Sequence, residues 1–217
     1  MFCYTGRTDV PAPQGAPCRR KGYVTFGVFN RYQKITDAML ALWSRILAAV
    51  PGSRLYCKAE AYYDDALVDE AYARFQRFGI DMERVTFELS SDDYMACYLD
   101  VDIALDTYPY VGGGTTCDAL YMGVPVVARY GAGRGTRYAA SILQAAGLGE
   151  LATATDDDYV ARAVGLASDT ELLDVLHHNL RTMMFASPLM DTRRCVQEME
   201  AAYASIWAAW EAEHQEG

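Results

Sequence analysis

The sequence predicts an α/β protein: a doubly wound, Rossmann-like parallel sheet followed by a helical C-terminal tail. Three observations lead there. Short β-branched or aromatic runs alternate with helix-length segments from residue 23 onward. Several of those runs are almost continuously apolar, as strands covered on both faces must be. The composition, 52% hydrophobic and 22% charged over 217 residues, is that of a chain with a sizeable core.

The elements follow in order. Residues 1–22 carry Pro11, Pro13 and Pro17 without periodicity, and they read as an irregular lead-in or the end of a linker from something upstream. Strands are expected at 23–29, 54–58, 85–89, 101–105 and 124–130. Helices are expected at about 36–50, 64–79, 91–98, 115–122, 137–146, 156–167, 169–185 and 191–213. Thr36 is placed to cap the first of these, whose apolar stripe is Met39, Leu40, Trp43, Ile46 and Leu47, and Pro51-Gly52 stops it. Ser90 with Asp93, and Thr115 with Asp118, each fit a capping box. The domain is therefore drawn as 23–190, with a final helix in 191–217 packing on it.

Charge narrows the function. Lys and Arg number 19 against 29 Asp and Glu, a net charge of −10. Such a chain lacks the basic surface that non-specific nucleic-acid or anionic-membrane binding needs. No apolar run approaches the roughly 18 residues of a spanning helix, and the first residues lack the basic-then-apolar pattern of a signal peptide. A cytoplasmic protein with no nucleic-acid or membrane partner is expected. The six cysteines form no C-x-x-C and are read as reduced thiols. His177 and His178 are adjacent, so on a helix they diverge by about 100° and cannot grip one metal together. No metal site and no histidine-based triad is expected.

Chemistry in an open parallel sheet sits beyond the carboxyl ends of its strands. The loop after 23–29 reads Asn30-Arg31-Tyr32-Gln33-Lys34. It sets a cation just before a helix start, where free N–H groups already favour anions; a solvated lysine and a capping asparagine would look the same. The loop after 101–105 reads Asp106-Thr107-Tyr108-Pro109-Tyr110-Val111-Gly112-Gly113-Gly114-Thr115-Thr116-Cys117-Asp118. Three glycines admit close backbone approach, and two threonine hydroxyls open the following helix, which makes a cradle for a diphosphate. Asp118, one turn in, is placed either to take the hydroxyls of a ribose or to close the capping box. A third loop, 131–137, fails G-x-G-x-x-G at Thr136, and no G-x-x-x-x-G-K-[ST] occurs, so dinucleotide and P-loop readings lose ground.

Taken in series, VFNRYQKI (28–35), LDTYPYVGGGTTCDALYMGVPVV (105–127), SPLMD (187–191) and EMEAAYASIW (198–207) resemble one family. They are similar to the C-terminal half of the catalytic region of O-linked N-acetylglucosamine transferases and their SPINDLY-type relatives, over about residues 20–210. The resemblance implies one lobe of a two-lobed GT-B glycosyltransferase of family GT41, the lobe that binds the nucleotide sugar. It implies that Lys34 neutralises the diphosphate of a UDP-sugar as the catalytic residue. Thr115 and Thr116, with their backbone N–H groups, would hold the same phosphates, with Asp118 on the ribose and Asn30, Gly113 and Gly114 in the same donor-binding set. The Leu89 backbone would meet the base, and Tyr94 would stand where animal enzymes carry a base-stacking histidine.

Departures from the pattern are Ser91 and Cys97 at positions that are basic in the animal enzymes, Gly114 in place of a histidine, and Arg31 in place of a glutamine. These leave the sugar open among N-acetylglucosamine, fucose on a GDP carrier, and glucose. The function implied is donor binding for an inverting, metal-independent transfer to Ser or Thr of a polypeptide, with UDP-N-acetylglucosamine as donor substrate and no cofactor. The acceptor would be held by an upstream lobe and helical repeats that this chain lacks. Two alternatives stand beside it: a non-enzymatic nucleotide-binding or interaction module, and a transferase using another donor or a small-molecule or glycan acceptor.

Overall fold

The computed structural model describes residues 3–89 and 92–214. Among these, six strands form one parallel sheet in the order β3-β2-β1-β4-β5-β6. The strands are β1 (Thr25–Val28), β2 (Arg54–Ala59), β3 (Val85–Leu89), β4 (Ile103–Leu105), β5 (Val126–Arg129) and β6 (Ala152–Thr153). The first five fall where the apolar runs placed them. β6 is two residues long and alanine-bearing, too short to leave a pattern in the sequence.

β1 and β4 are buried at every position, and Phe26 pairs with both Leu55 and Ile103. With both faces covered, this central pair gains roughly 25 cal/mol for each Å² of apolar area it buries. Helices cover both faces: α1 (Cys18–Lys21), α2 (Asp37–Ala49), α3 (Asp65–Arg77), α4 (Gly114–Tyr121), α5 (Tyr138–Ala145), α6 (Asp156–Ser168) and α7 (Thr170–Ala186). Thr36 caps α2 as expected, its hydroxyl accepting from the Met39 N–H at 3.3 Å.

Three expectations are corrected. The lead-in is irregular, but residues 15–18 are buried and its end forms α1, tied down where the buried Asp102 carboxylate accepts from Cys18 and Thr25 N–H at 2.7 and 2.8 Å. The helix expected at 91–98 is a turn followed by a 3₁₀ segment, Ala96–Asp100; Ser90, its expected cap, lies outside the described residues. The last helix, α8 (Thr192–His214), buries Cys195 alone, and Ile206 and Trp207 stay 66% and 59% exposed. Beyond its first turn its apolar stripe stays exposed among the described residues, so it does not pack along the domain as expected.

His177 is buried, and its Nε2 lies 2.8 Å from the Asp102 carbonyl; burial pushes the imidazole below its ordinary pKa. It is a core histidine. All six cysteines are free. No helix among the described residues is long and apolar enough to cross a membrane, and no cluster of metal-binding side chains occurs among them.

Candidate functional site

The strand order reverses between β1 and β4, so the loops leaving their carboxyl ends part and open a crevice. Both loops singled out in the sequence rise there. After β1 a 3₁₀ turn, Tyr32–Lys34, buries Tyr32 and folds Lys34 back toward the sheet. Lys34 Nζ donates to the Val111 carbonyl at 3.2 Å and to Asn30 Oδ1 at 3.5 Å. The Thr115 hydroxyl donates to that same Asn30 oxygen at 3.3 Å. A single amide oxygen thus collects the lysine ammonium from one loop and the first turn of α4 from the other.

Asp106, directly after β4, orders this junction from behind. Its Oδ1 accepts from Asn30 Nδ2 at 3.0 Å and from the Gly112 N–H at 2.7 Å. Its carbonyl accepts from the Tyr159 hydroxyl of α6, which in turn accepts from the Trp43 indole of α2. Full burial pushes the Asp106 carboxyl up to about 6, against the lowering pull of the Gly112 N–H, the Asn30 amide and the Lys34 ammonium. The sequence reading passed over Asp106 as one more loop residue. The available signal was an acid closing an otherwise apolar strand end, which has to be paired if it is buried.

The glycine run is held as closely. A Cβ at Gly112 would stand 2.6 Å from Thr116 Oγ1, 2.8 Å from Thr115 Oγ1 and 2.9 Å from Asp106 Oδ1, so only glycine fits without displacing all three. Helix α4 begins at Gly114, with Gly113 as N-cap and no side-chain cap bond. The expected Thr115–Asp118 capping box therefore does not form. The helix starts one residue earlier than expected, which leaves the Thr115 hydroxyl for Asn30 and Asp118 for other partners. The uncapped first turn presents N–H groups with the positive end of the helix dipole. Beside it, the buried oxygens Asp106 Oδ2 and Thr116 Oγ1 have no hydrogen-bond partner among the described residues. Both residues line a cleft of about 20 Å³ with Asn30, Thr115 and Tyr98.

Asp118 forms a second cluster one turn along α4. Tyr4 Oη donates to its Oδ1 at 2.7 Å and Tyr94 Oη to its Oδ2 at 3.0 Å. Burial raises the Asp118 carboxyl and the two phenols oppose that rise. Burial and the neighbouring Asp118 push the Tyr94 phenol up to about 12. Tyr4 lies 114 positions away in sequence and has no local signature, so no sequence argument reached it.

Leu89 stands apart from both clusters, at the end of β3. Its side chain is exposed and its carbonyl accepts from Lys58 Nζ at 2.7 Å. Lys58 also pairs with Glu88 at 2.8 Å, which holds that carboxyl below its ordinary range. The structure thus brings Asn30, Lys34, Gly113, Gly114, Thr115 and Thr116 together, sets Asp118 with Tyr94 beside them, and gives Leu89 no hydrogen bond to either cluster among the described residues. Ser91 lies outside the described residues. Arg137 of the third loop donates to the Gly131 carbonyl and joins neither cluster.

Sheet order and crevice define the class: a doubly wound domain with an anion-suited helix start at its switch point. Residues 18–199 match the model of glycosyl transferase family 41, and the chain belongs to that family. A protein of Petunia hybrida named a probable UDP-N-acetylglucosamine–peptide N-acetylglucosaminyltransferase SPINDLY is 39% identical over 210 residues, 95% of this chain but 22% of its own length. The solved structure of a mutant Thermobaculum terrenum O-GlcNAc transferase superposes with a TM-score of 0.86 at 35% identity, over 94% of this chain and 39% of that one. Sucrose-phosphate synthase of Thermosynechococcus elongatus, at 18% identity and a TM-score of 0.63 over 95% of this chain and 52% of its own, shares the fold alone. The chain is thus a catalytic lobe of GT-B architecture that spans about a fifth of the Petunia relative.

Proposed function

We propose that this chain is the donor-binding lobe of an inverting, metal-independent protein O-glycosyltransferase. The donor is a UDP-sugar, with UDP-N-acetylglucosamine as first candidate, and the acceptor is a Ser or Thr hydroxyl of a polypeptide. The observation that carries the reading is the meeting of Lys34 and the uncapped start of α4 at Asn30 Oδ1. The names of the relatives, UDP-N-acetylglucosamine–peptide and O-GlcNAc transferases, support the donor and acceptor classes.

In glycosyl transfer the bond from sugar to diphosphate breaks while charge grows on the leaving phosphate. An ammonium and a row of aligned N–H groups stabilise that charge without a metal, and most where the site excludes water. Lys34 swings from the Val111 carbonyl to the diphosphate, and Gly113, Gly114, Thr115 and Thr116 offer N–H and hydroxyl donors to the same oxygens. Asp118 takes the ribose hydroxyls, Tyr94 flanks the base, and the Leu89 backbone meets its edge. The acceptor polypeptide is held by the upstream lobe and helical repeats of the longer protein, in a cytoplasmic setting.

Calorimetric titration with UDP and GDP tests this in the wild type, Lys34→Ala and Asp118→Ala. Loss of a charged phosphate or ribose contact is worth about 1.5–3 kcal/mol, so each variant should bind UDP about tenfold or more weakly. EDTA should change nothing. GDP preferred over UDP would move the donor to a guanosine diphosphate sugar. A well-folded chain that binds neither nucleotide refutes the reading and leaves an interaction module.

A further inference from the structure

Asp118 is held by a residue from the far end of the chain, and that contact is unusually well built for a lead-in segment. The Tyr4 N–H donates to the Leu189 carbonyl at 2.7 Å, and its ring sits edge-on to Tyr121 with centroids 5.8 Å apart. Gly6 lies flat against the Tyr121 ring, where a Cβ would stand 2.4 Å from a ring carbon. The Tyr121 hydroxyl donates to the Arg7 carbonyl at 2.8 Å, and Arg181 of α7 ties the strap further by donating to the Pro11 carbonyl at 2.8 Å. The segment from Tyr4 to Pro11 is thus fastened to α4 and α7 through backbone groups, and its Tyr4 hydroxyl ends on Asp118.

A carboxylate offers about four lone-pair sites. Tyr4 occupies one on Oδ1 and Tyr94 one on Oδ2, which leaves each oxygen with a lone pair that neither phenol takes. Two vicinal hydroxyls are the ligand that such a pair receives. We infer that Tyr4 is a positioning residue of the nucleotide site, fixing the Asp118 carboxylate so that its two remaining lone pairs meet the hydroxyls of a ribose. This rests on the ribose role proposed above for Asp118. The Tyr4 hydroxyl bonds to Asp118 and not to Lys34 or the Thr115–Thr116 turn, so it acts on the nucleoside and not on the diphosphate. Its hydroxyl also favours the ionised carboxylate, opposing the burial of Asp118.

Tyr4→Phe keeps the ring on Tyr121 and removes only the donor. Titration of the whole chain with UDP and with inorganic pyrophosphate separates the ribose side from the phosphate side. In Tyr4→Phe, UDP binding should weaken about five- to tenfold near neutral pH, while pyrophosphate stays within about twofold of wild type. Losing the donor lets Asp118 take up a proton more readily, with Tyr94 and the nearby Arg7 still favouring its charged form, so the UDP loss should grow as the pH is lowered. A carbon-13 titration of the Asp118 carboxyl without nucleotide gives a second readout, its midpoint rising in the variant.

UDP and pyrophosphate weakening together would reduce Tyr4 to packing. Unchanged UDP binding or an unmoved Asp118 midpoint would overturn the inference, and so would tighter UDP binding, which would put the phenol in the ribose's own place. Failure of the donor reading itself looks different: the wild type then binds UDP no better than pyrophosphate, or binds neither. In that case the ribose roles of Asp118 and Tyr4 fall together even where the midpoint moves.

Discussion

The buried Asp106 makes the site's stability depend on pH in a direction opposite to that of most carboxylates. Its folded value lies at about 6 and its ordinary value is 3.8. Between these values the folded chain holds a proton that the unfolded chain has released. Stability from this group is therefore full below the ordinary value and is lost as the pH rises through about 6. At about 1.4 kcal/mol per pH unit the whole displacement is worth on the order of 3 kcal/mol.

Asp106→Asn removes the titration and keeps the geometry, since Oδ1 still accepts from Gly112 and Asn30. The new amide nitrogen falls where Oδ2 has no partner, a cost that does not vary with pH. Urea unfolding followed by tryptophan fluorescence at several values from about pH 4 to about pH 7.5 gives the difference in stability between variant and wild type. That difference should shift in favour of Asp106→Asn by between about 2 and 3 kcal/mol as the pH rises across the range. A difference that stays flat to within about 1 kcal/mol would refute the argument, because it would mean that Asp106 ionises in the fold as it does in water.

Two further outcomes are expected. Gly112→Ala forces its methyl into Thr115, Thr116 and Asp106 at 2.6–2.9 Å; the overpacking should cost about 1–3 kcal/mol in the same urea experiment and weaken pyrophosphate binding. The stacked Trp207–Trp210 pair on α8, with Tyr203 and Ile206 beside it, is an exposed apolar patch. Sedimentation velocity should show concentration-dependent association of the wild type, and a Trp207→Gln, Trp210→Gln double variant should lose it with the melting temperature unchanged.

What the sequence made legible follows from where physics acts locally. β1 and β4 are apolar at nearly every position because both of their faces are covered, so their runs stand out without any partner being known. Asn30, Lys34 and Thr115 were reachable because strand ends and helix starts mark the crevice. The Thr115–Asp118 box failed because a glycine can open a helix as readily as a hydroxyl residue can cap it, and which does so is decided by Asn30, a neighbour in space. The helix expected at 91–98 yielded to Tyr94 and Tyr98, whose phenols reach Asp118 and the Thr115 carbonyl and hold the chain in turns. Tyr4 and Asp106 act through partners that no local pattern names.

Why an asparagine stands at position 30 can be argued from the same contacts. The residue must give a donor to a buried carboxylate on one side and an acceptor to an ammonium and a hydroxyl on the other. An aspartate would set a second negative charge against Asp106. A serine is too short to reach both, and a lysine has no acceptor. Only an amide of this length meets the three demands, and the Asp106 carboxylate fixes which way it points. The amide thereby separates the buried negative charge from the Lys34 ammonium and the start of α4, both of which meet its oxygen. On the donor-binding reading proposed above, an arriving diphosphate would meet those positive groups first, while Asp106 behind them holds Asn30 and the Gly112 N–H.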